Sequence, residues 1–320
     1  MKKHITIALA ICLGLTISGC GKIGKEVTKK TNSDSSASAS SSQDNDEVKK
    51  NNAYVRLNNI SIRGYTDELD EIDEGLNRLR KGDISYFNVS AVSGSESALK
   101  FAKEAMAIGF DMKEVDASAQ TLATEIEAAL PALREMEDYS RTKAFLSDNG
   151  AKLKQNADTW RATLTKLETA NEAFLTTFEA YQRKRDTERL ATMDKNTVEY
   201  HSLKTMLDAQ IMLDVFHEVT PEDKASVAKF ETAINTFGES NKVYGDFISS
   251  NDPDGTKFDS DCKSQNGELN EMVGSAREFI SRLRDFSNTS GSREIFINQS
   301  AGNVVSNYNS AVGDSCQAKK

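Results

Sequence analysis

Three Ser-x-x-Lys sequences, Ser97-Ala-Leu-Lys100, Ser140-Arg-Thr-Lys143 and Ser226-Val-Ala-Lys229, set a hydroxyl and an amine at the spacing used by penicillin-recognising serine enzymes. Ser147-Asp148-Asn149 adds a second element of that set, but Lys-Thr-Gly is absent from the chain. That enzyme fold also needs strands, for which the sequence offers no pattern, so three copies in a Ser- and Lys-rich chain read as composition. His217-Glu218 opens like the zinc-protease HExxH, in which two histidines one helical turn apart hold the metal. Val219-Thr220-Pro221 follows, and the second histidine is missing. His201 lies 16 residues earlier, about 160° around a helix, so the two imidazoles cannot share a face and read as surface or boundary residues. Asp252-Pro-Asp254-Gly255, with Asp259 and Asp261, is the densest carboxylate group and invites a calcium reading. An EF-hand loop needs glycine at position 6 and glutamate at position 12, whereas counting from Asp252 puts Gly255 at 4 and Lys263 at 12. A solvated turn is the simpler reading, and Glu68, Asp70, Glu71, Asp73 and Glu74 likewise read as a solvated helix face. No set of nucleophile, base and orienter is complete. The expectation is a protein that is not an enzyme, with no catalytic residue, no metal ligand set and no cofactor.

The cysteines carry more. Met1-Lys2-Lys3-His4 precedes ITIALAICLGLTI, an apolar run of 13 residues, too short to span a bilayer and suited to a secretory signal. The run ends Ile17-Ser18-Gly19-Cys20, which resembles the lipobox of bacterial lipoproteins, where a peptidase cuts before a lipidated cysteine. An ordinary signal peptide with a chance cysteine is the alternative. Burial of each acyl CH₂ contributes about 0.8 kcal/mol, so two or three chains on Cys20 would make attachment effectively permanent. The resemblance implies residues 1–19 as signal peptide and Cys20 as lipidation site. Gly21 stands where enteric lipoproteins of the inner membrane tend to carry Asp, which favours the outer membrane, facing the periplasm.

Cys12 leaves with the signal and Cys20 takes lipid, so Cys262 and Cys316 remain in an exported chain. Helices around 265–286 and 293–311 would be joined by a turn centred near residue 289, and the two cysteines stand 27 residues before and 27 after that point. An antiparallel hairpin would bring them level, and a disulfide is expected. Two separate buried thiols are the alternative, and zinc spacing is lacking.

Residues 21–47, low in apolar side chains and dense in Ser, Asp and Lys, read as a disordered tether. As a coil its 27 residues would span about 30 Å. Removing Lys2 and Lys3 leaves 38 basic against 49 acidic residues, a formal charge of −11 for the mature chain. An acidic surface argues against nucleic acid or anionic lipid as a partner, leaving the membrane, through the lipid anchor, and an envelope protein as candidate partners.

The elements beyond the tether are helical. Leu153, Ala157, Trp160, Leu164, Leu167, Asn171, Phe174, Phe178 and Tyr181 keep a strict 4-3-4-3 spacing, a knobs-into-holes seam with Asn171 as its polar knob. Asn171 either fixes register or sits at the edge of a wet core. Further stripes follow Asn196-Thr-Val-Glu199, with capping-box spacing, and Thr220-Pro221-Glu222-Asp223, with Thr220 as cap and proline at the first helical position. Apolar stripes also run from Leu269 to Phe286 and from Ile295 to Tyr308, and before the seam residues 48–80 carry Val48, Tyr54, Val55, Leu57, Ile60, Ile62, Leu69, Ile72, Leu76 and Leu79. Residues 96–146 add a helix bent or divided near Gly109 and Pro131. Six or more helices with short connections imply an all-α, elongated antiparallel bundle over residues 48–316.

The segments NNAYVRLNN (51–59), LPALREMEDYSRTKAFLSDNGAKLK (130–154) and NVVSNYNSAV (303–312) resemble the YiiG-like family of bacterial envelope lipoproteins, built on a helical domain of unknown function. The resemblance implies the same fold and location and supplies no site. Two functional classes follow: a membrane-anchored lipoprotein whose helical domain binds or scaffolds an envelope partner, and a periplasmic metal- or ligand-capturing receptor.

Overall fold

A computed structural model of the chain describes residues 37–220, 223–284, 292–314 and 316–319. Among them the chain is all-α. The helices are α1 (Ala37–Ser61), α2 (Thr66–Arg80), α3 (Val92–Met106), α4 (Lys113–Arg141), α5 (Ala144–Ser147), α6 (Ala151–Thr192), α7 (Val198–His217), α8 (Lys224–Asn251), α9 (Ser260–Arg284) and α10 (Ser292–Gly313). The described residues form no strand; Phe258 and Ala318 make an isolated antiparallel bridge. The signal segment and Cys20 lie outside the described residues.

The chain groups into two compact units, one ending at Tyr181 and one running from Gln182, where the sequence reading drew a single domain. The reason lies in the apolar side chains, which gather into separate clusters before and after that point. α1 runs from Ala37 across residue 47, where the sequence reading ended the tether. The stretch from Ala37 to Glu47 is mostly Ser, Asp and Asn, which are poor helix formers, so the buried face around Ala53, Tyr54 and Leu57 is what nucleates α1.

In the first unit the seam of α6 supplies the centre. Leu153, Ala157, Trp160, Leu164, Leu167, Asn171, Phe174 and Phe178 are all buried, and Tyr181 is half-buried. Tyr54 of α1 meets Phe174 and Phe178, and Phe87, from the extended stretch between α2 and α3, stacks on Trp160. Asn171, 2% exposed, donates from Nδ2 to the Ser61 carbonyl at 2.8 Å. The polar knob therefore adds a second donor to the last carbonyl of α1, which also accepts the Gly64 amide at 2.9 Å. Residues 107–112, around Gly109, separate α3 from α4. Pro131 stays inside α4, whose buried face of Ala129, Leu133 and Met136 holds the helix through the missing N–H. Between α5 and α6, Gly150 has φ +73°, and a Cβ there would collide with Leu79 Cδ2.

In the second unit α7 packs on α8, α8 on α9, and α9 on α10. Phe216, Phe230 and Phe279, from three of these helices, meet in one aromatic group. The caps differ from the sequence reading by one to three residues. Thr197, not Asn196, accepts the Tyr200 amide at the start of α7, at 3.3 Å. Asp223, not Thr220, caps α8 by accepting Ala225 N at 2.9 Å and Ser226 N at 3.2 Å. The carboxylate takes two orphan amides at once, one on each oxygen.

Candidate functional site

The sequence from Ser90 to Ala98, SAVSGSESA, is made almost wholly of small residues and opens α3. Side chains this short leave the backbone of the first helical turns uncovered. The end of α1, the start of α2 and the start of α3 meet here around a polar pocket of about 640 Å³. Its walls come from two stretches of chain, Asn59 to Glu68 and Ser90 to Ala98.

Each wall is held in place from behind. Tyr65 N donates to Glu168 Oε2 at 2.6 Å and Thr66 Oγ1 to Glu168 Oε1 at 3.3 Å, so a carboxylate from α6 caps α2. Gly64 has φ +58°, and a Cβ there would lie 2.7 Å from Glu168 Oε1, so this turn accepts the carboxylate only because it has no side chain. Ser95 Oγ donates to Ala91 O at 2.8 Å, which leaves the Tyr65 hydroxyl to donate to Ser95 Oγ, 2.9 Å away. At the start of α3 the Val92 amide goes to Glu137 Oε2, at 3.1 Å, and the Ser95 amide returns to Ala91 O. The Ser93 and Gly94 amides lie between these two and have no side-chain cap.

The pocket is electrostatically mixed. Burial pushes the Glu68 carboxyl up, with Asp67 and Glu168 adding to the rise and the Glu68 and Ser90 amides opposing it. Arg63 is exposed and makes no ion pair among the described residues. Ser61 is 5% exposed, and its Oγ is buried without a hydrogen-bond partner. A buried hydroxyl left unpaired costs about 1–3 kcal/mol, and this one is enclosed behind the wall and out of reach of the pocket.

Elsewhere the structure assigns the sequence-flagged residues to the scaffold. Of the three Ser-x-x-Lys serines, Ser97 lies on the pocket wall, and Lys100 pairs with Glu104 at 3.8 Å. Ser140 Oγ accepts the Val89 amide at 3.1 Å and donates to Phe87 O at 3.2 Å, fastening the extended stretch to α4. Ser226 Oγ donates into the α8 cap, and Lys229 pairs with Glu218. Asp148 of Ser-Asp-Asn accepts the Tyr139 hydroxyl at 2.9 Å and the Gly150 amide at 2.8 Å, which makes the motif a turn. His201 lies against Phe247, ring centres 4.3 Å apart, and burial pushes both His201 and His217 below the usual imidazole range.

Two carboxylates of the 252–261 stretch, Asp252 and Asp259, are turned to backbone amides. Burial of Asp252 works against its charge, but the Lys257, Phe258 and Thr256 amides outweigh it and hold the carboxyl below its usual range. Asp259 accepts Cys262 N at 3.3 Å and Gln317 N at 3.2 Å, capping α9 and holding the C-terminal tail together. Cys262 and Cys316 are brought together and joined in a disulfide, with Cα atoms 4.3 Å apart. Asp259 and the two sulfurs lie within 4.8 Å of one another, but sulfurs bonded to each other offer no thiolate to a metal.

The sequence reading passed over the pocket. Its visible signal is the run of small residues after a turn and before a helical stripe, and half of the wall comes from Asn59 to Glu68, a stretch distant in sequence. The fold and pocket define a class: an all-α protein with a polar concavity at a junction of three helix ends. The chain belongs to the family described as proteins of unknown function, DUF3829, whose family model matches residues 45–314. No curated protein and no solved structure matches it.

Proposed function

We propose that the protein is a lipid-anchored bacterial envelope protein of the YiiG-like kind, whose helical part binds or scaffolds a periplasmic partner without catalysing a reaction. The observation that carries this reading is Ile17-Ser18-Gly19-Cys20 behind a charged start and a 13-residue apolar run. None of the described helices is long and apolar enough to cross a membrane, so acyl chains on Cys20 are the anchor the reading requires. Labelling cells with a radioactive fatty acid is the test. Wild type should carry label and sediment with membranes, and Cys20→Ser should lose both; label retained by Cys20→Ser sinks the reading. Capture of the lipidated protein from envelope, with metal analysis of the same sample, separates a scaffold from a metal-capturing receptor. The pocket between α1, α2 and α3 favours the ligand-capturing form of that second reading, because its walls include uncapped amides at the start of α3 that suit a small polar guest.

A further inference from the structure

The C-terminal tail returns to the start of α9 and is tied there by more than its disulfide. Asp259 N donates to the Gln317 carbonyl at 3.1 Å, and Lys319 N to the Lys257 carbonyl at 2.6 Å. Gln317 N donates back to Asp259 Oδ2 at 3.2 Å, Ala318 N to Glu199 Oε1 at 3.1 Å, and Gln265 Nε2 to the Asp314 carbonyl at 2.7 Å. These hydrogen bonds keep Cys316 beside Cys262 whether or not the two sulfurs are joined. Asp259 caps α9, and its Oδ1 lies 3.2 Å from Cys262 Sγ in the first turn. A disulfide sulfur has no proton to donate, so this approach becomes a hydrogen bond only when the sulfur is a thiol. Once that thiol ionises, both atoms are anionic ligands. Bonds of about 2.3 Å to sulfur and about 2.0–2.2 Å to oxygen place tetrahedral zinc ligands roughly 3.5–4 Å apart, and the two sulfurs and the carboxylate oxygen lie within 4.8 Å of one another.

We propose that, when its disulfide is reduced, the second unit binds a divalent cation of the zinc class through Cys262, Cys316 and Asp259, with the fourth position open to water. Two thiolates with one carboxylate suit zinc better than Cu(I), which favours sulfur alone, or calcium, which takes oxygen. A dithiol reductant opens the site. One of its thiolates attacks Cys316 Sγ, the more exposed of the pair at 6% against 0%. The Cys262–Cys316 bond breaks, Cys262 Sγ leaves with the electron pair, and a mixed disulfide forms. The reductant's second thiolate then attacks its own sulfur in that mixed disulfide, closing a disulfide on the reductant and releasing Cys316 Sγ. Two electrons have passed to the protein, the reductant's two protons end on the two cysteines, and the cation displaces them to solvent as it binds. The inference goes beyond the anchored-binder reading and does not depend on it, since Cys20 is none of the ligands.

The test is titration of the full-length protein in detergent, oxidised or reduced by a water-soluble phosphine, with Co²⁺ as the spectroscopic probe and Zn²⁺ as its competitor. Reduced wild type should develop the thiolate-to-cobalt charge-transfer band, saturate at a single ion per chain and lose the band to zinc. The oxidised protein should show none. Cys262→Ser and Cys316→Ser should each abolish the saturable band. Asp259→Asn should weaken binding at least about tenfold, since even groups that only support a ligand are worth that much. Zinc should also raise the melting temperature of the reduced protein and leave that of the oxidised protein unchanged, because a shared ion replaces the lost covalent tie. A band that survives either cysteine substitution, equal binding by the oxidised protein, undiminished binding to Asp259→Asn, or no saturable band in the reduced protein would each overturn the inference.

Discussion

Lys50 is 2% exposed, an unusual place for an ammonium. Its Nζ donates to the carbonyls of Ile108 and Phe110, at 3.3 and 2.6 Å, and to Asp116 Oδ2 at 2.7 Å, and Asp116 also accepts the Tyr54 hydroxyl. One amine thus satisfies the carbonyls where α3 unwinds and neutralises the carboxylate that begins α4. Removing the amine takes its hydrogen bonds from two carbonyls and from a half-buried carboxylate, so Lys50→Met should destabilise the first unit by about 1–3 kcal/mol in urea titration. Asp186 makes the opposite case. It is 1% exposed, its Oδ2 has no hydrogen-bond partner among the described residues, and Arg185 Nη2 lies 3.3 Å from Oδ1. Burial raises its carboxyl above the usual range, with Arg185 pulling the other way. The folded state therefore holds that proton to higher pH than the unfolded chain. Its favourable contribution is complete below about pH 3.9, the ordinary aspartate value, and is lost as pH rises through the raised one. Asp186→Asn should be more stable than wild type at pH 7 by about 1 kcal/mol, and the gap should narrow as urea titrations are repeated toward pH 4. Neither role was legible in the sequence, where Lys50 and Asp186 are two charges among many on amphipathic helices.

Among the elements, the stripes of α6 to α10 were legible because a 3.6-residue period sorts side chains to one face whatever that face then meets. The caps were legible to within a turn. Asp223 displaced Thr220 because the true start of α8 is set by which oxygen can reach two amides, a question of backbone geometry. The hairpin of α9 and α10 carries the disulfide at its open end, with Phe258 and Ala318 bridged beside it and the Ala318 amide held by Glu199 Oε1 at 3.1 Å. Closing 54 residues in the unfolded chain should be worth about 4 kcal/mol by loop entropy. Reductant should accordingly lower the melting temperature of the second unit, and Cys262→Ser/Cys316→Ser should match the reduced protein. Non-reduced peptide mapping that returns free thiols at both positions would contradict the pairing.

For the whole molecule, the acidic balance and the apolar leader act at a scale no single contact reaches. If acyl chains on Cys20 attach the protein, high salt should leave it on the membrane and detergent should release it, since acyl burial is insensitive to the screening that dissolves electrostatic adhesion. Release of wild type by salt alone would contradict the anchor. The sequence by itself determined the helical class, because periodicity and capping are local properties of ten to thirty residues at a time. It also carried the expectation of an address, because a leader is read by its residue types before any folding occurs. Tertiary structure decided where the apolar stripes part into two cores, which buried charge has a partner, and that Ser61, Arg63 and the start of α3 surround one pocket. Those facts depend on residues far apart in the chain arriving together, and their energies come from burial and pairing, which exist only once the chain has closed on itself.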